Sequence, residues 1–308
     1  MNTDKKFFSK IGFNYLIFGL TAIIAQIILI AIVTSYYPSV TSNISIISMI
    51  NSICNYIIPF PIFYILMKKI SSCSLEKTGI SAKRFFLYIG VTLTLMWIGN
   101  IIGLIITALI GGAAQSDITN PVRELINNSD IMFNLIVISI AAPIFEEIFF
   151  RKFLIDRTIK YGAKVSIILS AIIFALFHGN LNQFFYAFLM GGFFAYIYIK
   201  TGKITYTIIL HTIVNFLGSV VSIIVVNSVN NLQSGIKIID LMVIGAYLLI
   251  MLTFLIIGII GFIKYKEVKL EKPEIELEKP LRTMFLNPGM LFFTALFLLE
   301  IVMQLRIF

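Results

Sequence analysis

Charge is scarce in this sequence. Asp, Glu, Lys and Arg make up 13% of its 308 residues, against about 25% in an ordinary soluble domain. With 59% hydrophobic residues and a mean hydropathy of +0.98, a water-soluble fold is excluded. Cysteine is almost missing: Cys54 lies in an apolar run and Cys73 in a basic loop, so there is neither a disulfide framework nor a CxxC metal pair. Histidine occurs twice, and HExxH does not occur. The alternation of a membrane β-barrel is missing too, and long apolar runs such as Ile101 to Ile110 argue against one. No internal repeat or low-complexity tract is found, which removes support from an inverted-repeat transporter.

What is present is a succession of apolar runs. Crossing a bilayer takes roughly 20 predominantly apolar residues. Run length predicts spans at 12–36, 44–67, 85–112, 131–155, 164–178, 182–199, 204–227 and 238–263, with a further apolar stretch at 284–305. Lipid-exposed backbone must satisfy its own hydrogen bonds, so these are helices. The expected fold is all-α: a polytopic transmembrane bundle with an eight-helix core and a C-terminal apolar helix. The chain divides into a membrane domain over 1–263 with a catalytic core at 131–227, a charged and solvated cytoplasmic linker at 264–283, and a C-terminal helix at 284–308 that either crosses or lies in the interface. The first run is long for a signal-peptide core and lacks a small-residue cleavage site, so it is expected to stay as a helix.

The formal net charge is +9, but its distribution is not that of a nucleic-acid-binding face. Lys and Arg gather at the ends of alternate spans: Lys5 to Lys10, Lys68 to Arg84, Arg151 to Lys164, Lys200 and Lys203, and Lys264 to Arg282. The other loops are nearly uncharged or, over 111–130, acidic. Positive loops stay inside, which predicts a multi-pass protein of the cell membrane with a cytoplasmic N-terminus and no nucleic-acid partner.

An ionisable group at membrane depth costs several kcal/mol, so each is a functional candidate. The fourth span carries Pro143, Glu146, Glu147 and Arg151. Arg151, four residues after Glu147, is placed to neutralise it. Successive helical residues point about 100° apart, so Glu146 faces elsewhere and needs another partner. His178 closes the fifth span and His211 lies within the seventh. His211 and Asn215 share a helix face. Pro143, one turn before Glu146, loosens the helix there. Asn51, Asn55 and Asn100 read as interhelical hydrogen bonds rather than substrate ligands, Pro59 and Pro61 as kinks, and Gly191-Gly192 as a close-packing contact. Glu300 has no explanation at this stage.

Glu146-Glu147-x-x-x-Arg151, Phe174-x-x-x-His178 and His211-x-x-x-Asn215 resemble, in order and spacing, the three motifs of the CPBP intramembrane proteases. That family includes the type II CAAX prenyl endopeptidase and bacteriocin-processing and self-immunity proteins, and the resemblance covers roughly 131–227. It implies that Glu146 and His178 position and deprotonate a water, that His211 and Asn215 stabilise the oxyanion, and that Glu147 and Arg151 support them. A carboxylate suits general-base work, and two preorganised donors suit an oxyanion. No cofactor is expected. Zinc held by Glu146, His178 and His211 is the alternative, although zinc normally takes three protein ligands plus water and Asn215 is a poor further candidate. By rise per residue, Glu146 and His211 fall in the cytoplasmic half while His178 lies near the outward end of a short span, which requires a tilted or shortened fifth helix.

The implied partners are the bilayer and a peptide or membrane-protein substrate, such as a pheromone or bacteriocin precursor cut near the cytoplasmic face. A CAAX prenyl endopeptidase and a non-catalytic scaffold or immunity protein binding a sensor kinase or peptide are the alternatives.

Overall fold

In the computed structural model, residues 2–114, 118, 120–233, 235–264 and 272–305 are described. They form a polytopic helical bundle. Among the described residues seven helices are long and apolar enough to cross a membrane: α1 (Thr3–Tyr36), α2 (Ile44–Lys68), α3 (Ala82–Ala113), then, after the short α4 (Pro121–Asn128), α5 (Ile131–Tyr161), and, after the shorter α6 (Ala163–Phe177), α7 (Leu181–Thr201), α8 (Ile204–Asn231) and α9 (Ile238–Lys264). Two short helices, α10 (Pro280–Phe285) and α11 (Pro288–Gln304), follow.

The fifth of the expected spans is α6, whose 15 residues extend about 22 Å at 1.5 Å per residue, short of a hydrocarbon core of about 30 Å. A helix of that length does not reach from one face of the hydrocarbon core to the other, and this one ends at His178. Gly179 turns the chain there with φ of +61°, a conformation glycine adopts without the Cβ penalty. Asn180 then caps α7, its side chain accepting from the Gln183 N–H.

Three helices change locally to wide π turns, four in all: Ile53–Ile57 in α2, Asn134–Ala141 and Ile148–Phe153 in α5, and Leu217–Val221 in α8. The first two each precede a proline, Pro59 and Pro143. Proline cannot donate to the preceding turn and its ring clashes with the carbonyl there; widening the turn relieves that clash.

The bundle is held by an aromatic core and by close crossings. Tyr15, Phe18, Phe63, Phe149, Phe150, Phe174 and Phe293 are all buried. Tyr15 Oη donates to the Phe149 carbonyl at 2.6 Å. Helix α11 meets α1 at Gly12 and Gly289, where a methyl on Gly289 would lie 1.9 Å from Ser9 O. Gly191 lies against Phe174, with an added methyl 2.9 Å from its ring, so this glycine does serve a close approach, of α7 to α6.

Within the expected linker, residues 265–271 lie outside the described set. The rest is not simply solvated. Ile275 donates its N–H to Lys160 O at 3.0 Å, Ile275 and Leu277 pack on the core, and α10 begins at Pro280.

Candidate active site

Glu146 and Glu147 lie between the two π turns of α5 and face different neighbours. Glu147 is fully buried. Its Oε1 accepts from His211 Nδ1 at 3.0 Å, and its Oε2 lies 3.1 Å from Arg151 Nε. The latter contact is an ion pair without hydrogen-bond alignment. Arg151 is also fully buried, with its guanidinium carbon 4.3 Å from the centre of the Phe174 ring. The pair predicted by the i,i+4 spacing is thus formed, and Glu147 additionally reaches His211, which spacing alone does not reveal.

Glu146 faces the cavity side. Its Oε1 accepts from Tyr56 Oη at 2.6 Å, and its Oε2 lies 3.6 Å from His211 Nε2. Tyr56, on the π turn of α2, is the partner that sequence reasoning required but did not name.

His178 sits at the C-terminus of α6, with Nδ1 2.7 Å from the Phe174 carbonyl. That nitrogen must carry the proton, since a carbonyl only accepts. Both imidazoles therefore have Nδ1 occupied and Nε2 as the remaining nitrogen.

Asn215 Nδ2 donates to Ile138 O at 2.9 Å. The reason lies in α5. In π register the Ile138 carbonyl would accept from residue 143, which is proline and has no N–H. Asn215 supplies the missing donor, so one of its two amide N–H bonds is committed to the backbone.

Glu146, His178, His211 and Asn215 all line one cavity of about 430 Å³. Tyr56, Gln26, Asn51, Asn55, Gln183 and Glu300 line it too. The Oδ1 of Asn51 is buried and has no hydrogen-bond partner among the described residues, so the expected interhelical bond is not made by this atom. An aromatic layer closes one end of the cavity. On α1, α2 and α5 the lining residues lie beyond Phe18, Phe63 and Phe150 from the basic segments. At the other end Val122 and Leu125 of α4 form the wall.

Among the described residues no three of His, Cys, Asp and Glu form a group that could hold a metal ion, and this includes Glu146, His178 and His211 as placed.

Fold and cavity together define the class: a multi-pass membrane protein in which a carboxylate and two imidazoles share a chamber between helices. Residues 128–217 match the family model described as type II CAAX prenyl endopeptidase Rce1-like. The match covers α5 to α8 and all three motifs, and agrees with the resemblance to the CPBP proteases. The family so matched is one of proteases, and the match spans less than a third of the chain. No curated protein and no solved structure matches the chain.

Proposed function

We propose that the protein hydrolyses a peptide bond within this cavity, using Glu146 to activate a water. The observation that supports this most is the convergence of Glu146, His178, His211 and Asn215 on one chamber. In this reading Glu146 and the free nitrogen of His178 hold the water. Glu146 takes its proton as the oxygen adds to the scissile carbonyl. Glu147 orients His211 through Nδ1–H, and His211 in its imidazolium form, with a second N–H on Nε2, together with the uncommitted N–H of Asn215 stabilises the oxyanion. Collapse breaks the C–N bond and the proton passes to the leaving amine. Tyr56 fixes the rotamer of Glu146, and Arg151 balances the charge of Glu147.

The aromatic layer on the basic side supports approach from the side of α4 or laterally between helices. If the basic loops are cytoplasmic and the membrane is the cell membrane, the cut bond lies in the inner half while the substrate enters from the outer half. That suits a membrane-associated or secreted-peptide precursor, of the pheromone or bacteriocin class.

The deciding experiment compares membrane and secreted peptidomes of cells carrying wild type and Glu146→Gln. A peptide cleaved only with wild type supports the reading and names the substrate. Identical peptidomes together with an unchanged phenotype would instead favour the scaffold.

A second reading, the CAAX prenyl endopeptidase, is favoured by one feature. A second chamber of about 370 Å³ lined by Leu93, Met96, Trp97, Val214 and Met251 shares Asn215 and Tyr186 with the first. It would accommodate an apolar substituent beside the scissile bond. Matched prenylated and unprenylated reporter peptides separate the two readings by rate.

A further inference from the structure

Glu300 is a charged residue on the apolar helix α11, far beyond the segment matched to the protease family. A carboxylate at membrane depth is costly, and the interior of this one is not neutralised: no ion pair to Glu300 is formed among the described residues. Its position is fixed. Helix α11 is pinned to α1 by the Gly12–Gly289 crossing, and Phe297, one turn before Glu300, packs on Phe177 with ring centres 4.9 Å apart. The side chain lies against the turn that follows His178, where a methyl on Gly179 would be 2.6 Å from Glu300 Oε2.

The chamber that Glu300 enters is charged with one sign. Apart from the two histidines, its ionisable lining residues with a formal charge are Glu146 and Glu300, and no lysine or arginine lines it, although the chain as a whole carries +9. Near the acids stand the amides of Gln26, Asn51 and Asn55, and Asn51 Oδ1 is a buried acceptor that lacks a donor. A chamber that holds carboxylates and amide acceptors but no lysine or arginine offers what an ammonium or guanidinium with several N–H donors requires.

We propose that Glu300 is a specificity-determining residue, the counter-ion for a lysine or arginine side chain of the substrate held beside the scissile bond. This rests on the protease reading for its meaning but concerns binding, so the two are testable apart. One role of α11 is then to bring an acid to a chamber that the family-matched helices leave without a second anchor.

The test uses the full chain in lipid vesicles. Two sets of short synthetic peptides, randomised except for one fixed position, carry either arginine or its neutral isostere citrulline there. Binding is measured on Glu146→Gln, which prevents turnover, and on Glu146→Gln combined with Glu300→Gln or Glu300→Asp. A charge-assisted contact in a shielded site predicts about tenfold tighter retention of the arginine set on the first protein. That ratio falls to within about twofold with Glu300→Gln and returns with Glu300→Asp. An arginine-to-citrulline ratio that is unchanged by Glu300→Gln overturns the proposal, as does the failure of the arginine set to bind. Hydrolysis of the same peptides by wild type is scored separately: a charge-dependent ratio without cleavage upholds Glu300 and sinks the protease reading, whereas cleavage with an unchanged ratio does the reverse.

Discussion

Glu147 and Arg151 are both fully buried, with 3.1 Å between Oε2 and Nε, and the pair can be taken apart one charge at a time. Glu147→Gln leaves a guanidinium in an aromatic pocket without its paired carboxylate, the other acid nearby on the same helix being Glu146, with which no ion pair is formed. At that separation the Coulomb term is about 5 kcal/mol for an effective dielectric of about 20. The face of Phe174, 4.3 Å away, holds the guanidinium with or without Glu147 and leaves that loss unchanged, but the lack of hydrogen-bond alignment lowers it. A destabilisation of about 3 kcal/mol is expected, in the range for breaking a buried pair. Arg151→Met should cost a similar amount, because it strands the carboxylate without its guanidinium, leaving the His211 N–H and the Thr207 hydroxyl. The double variant removes both charges and should return to within about 1 kcal/mol of wild type.

Equilibrium unfolding by SDS in mixed micelles measures all four corners of this cycle. A coupling energy of about 3 kcal/mol or more is expected, and additivity within about 0.5 kcal/mol would refute the pairing as an energetic unit. Hydrolysis adds a second readout. In the double variant stability returns but activity does not, because His211 has lost the anion that orients it. Recovery of full activity there would mean that Glu147 acts only through Arg151.

Tyr56→Phe removes the donor to Glu146 and should lower kcat about tenfold with stability changed by no more than about 1.5 kcal/mol; an unaltered rate would show that Glu146 needs no positioning. Gly289→Ala forces a methyl to within 1.9 Å of a backbone oxygen and should destabilise by about 3 kcal/mol or displace α11, read as lost thermal stability in detergent. Asn215→Leu leaves the Ile138 carbonyl without its donor and should cost about 1–3 kcal/mol besides reducing turnover; the same unfolding titration checks it. Treatment with a chelator should leave hydrolysis intact, and stoichiometric zinc whose removal abolishes activity would reverse that expectation.

Much of the fold was legible because lipid imposes few solutions: run length and the positions of Lys and Arg outline the helices. The short fifth run, expected at 164–178, is α6, which stops where Gly179 takes a positive φ. The exception has a local cause. The segment after Lys264 reads as a linker from its charges, yet Ile275 and Leu277 give it two apolar anchors to the core, too few to stand out in a charged stretch.

At the candidate site, spacing within one helix was readable and contact between helices was not. Glu147 with Arg151 follows from i,i+4 geometry. Tyr56 to Glu146 bridges 90 positions, and a single tyrosine in an apolar run carries no sequence signal for its partner. Asn215 shows the opposite case. Its shared face with His211 suggested two donors for one ligand, whereas one N–H meets the carbonyl left open by Pro143. Pro143 and Asn215 are therefore one device: the proline widens the turn that sets Glu146 in the chamber, and the amide closes the gap so that α5 keeps its backbone bonds. Replacing Pro143 by alanine tests that link. It restores an N–H to residue 143, so the amide of Asn215 loses its obligatory acceptor, and Asn215→Leu should then cost less than about 0.5 kcal/mol in the Pro143→Ala background, against about 1–3 kcal/mol alone. An equal cost in both backgrounds would separate the two residues and leave the π turn without its explanation.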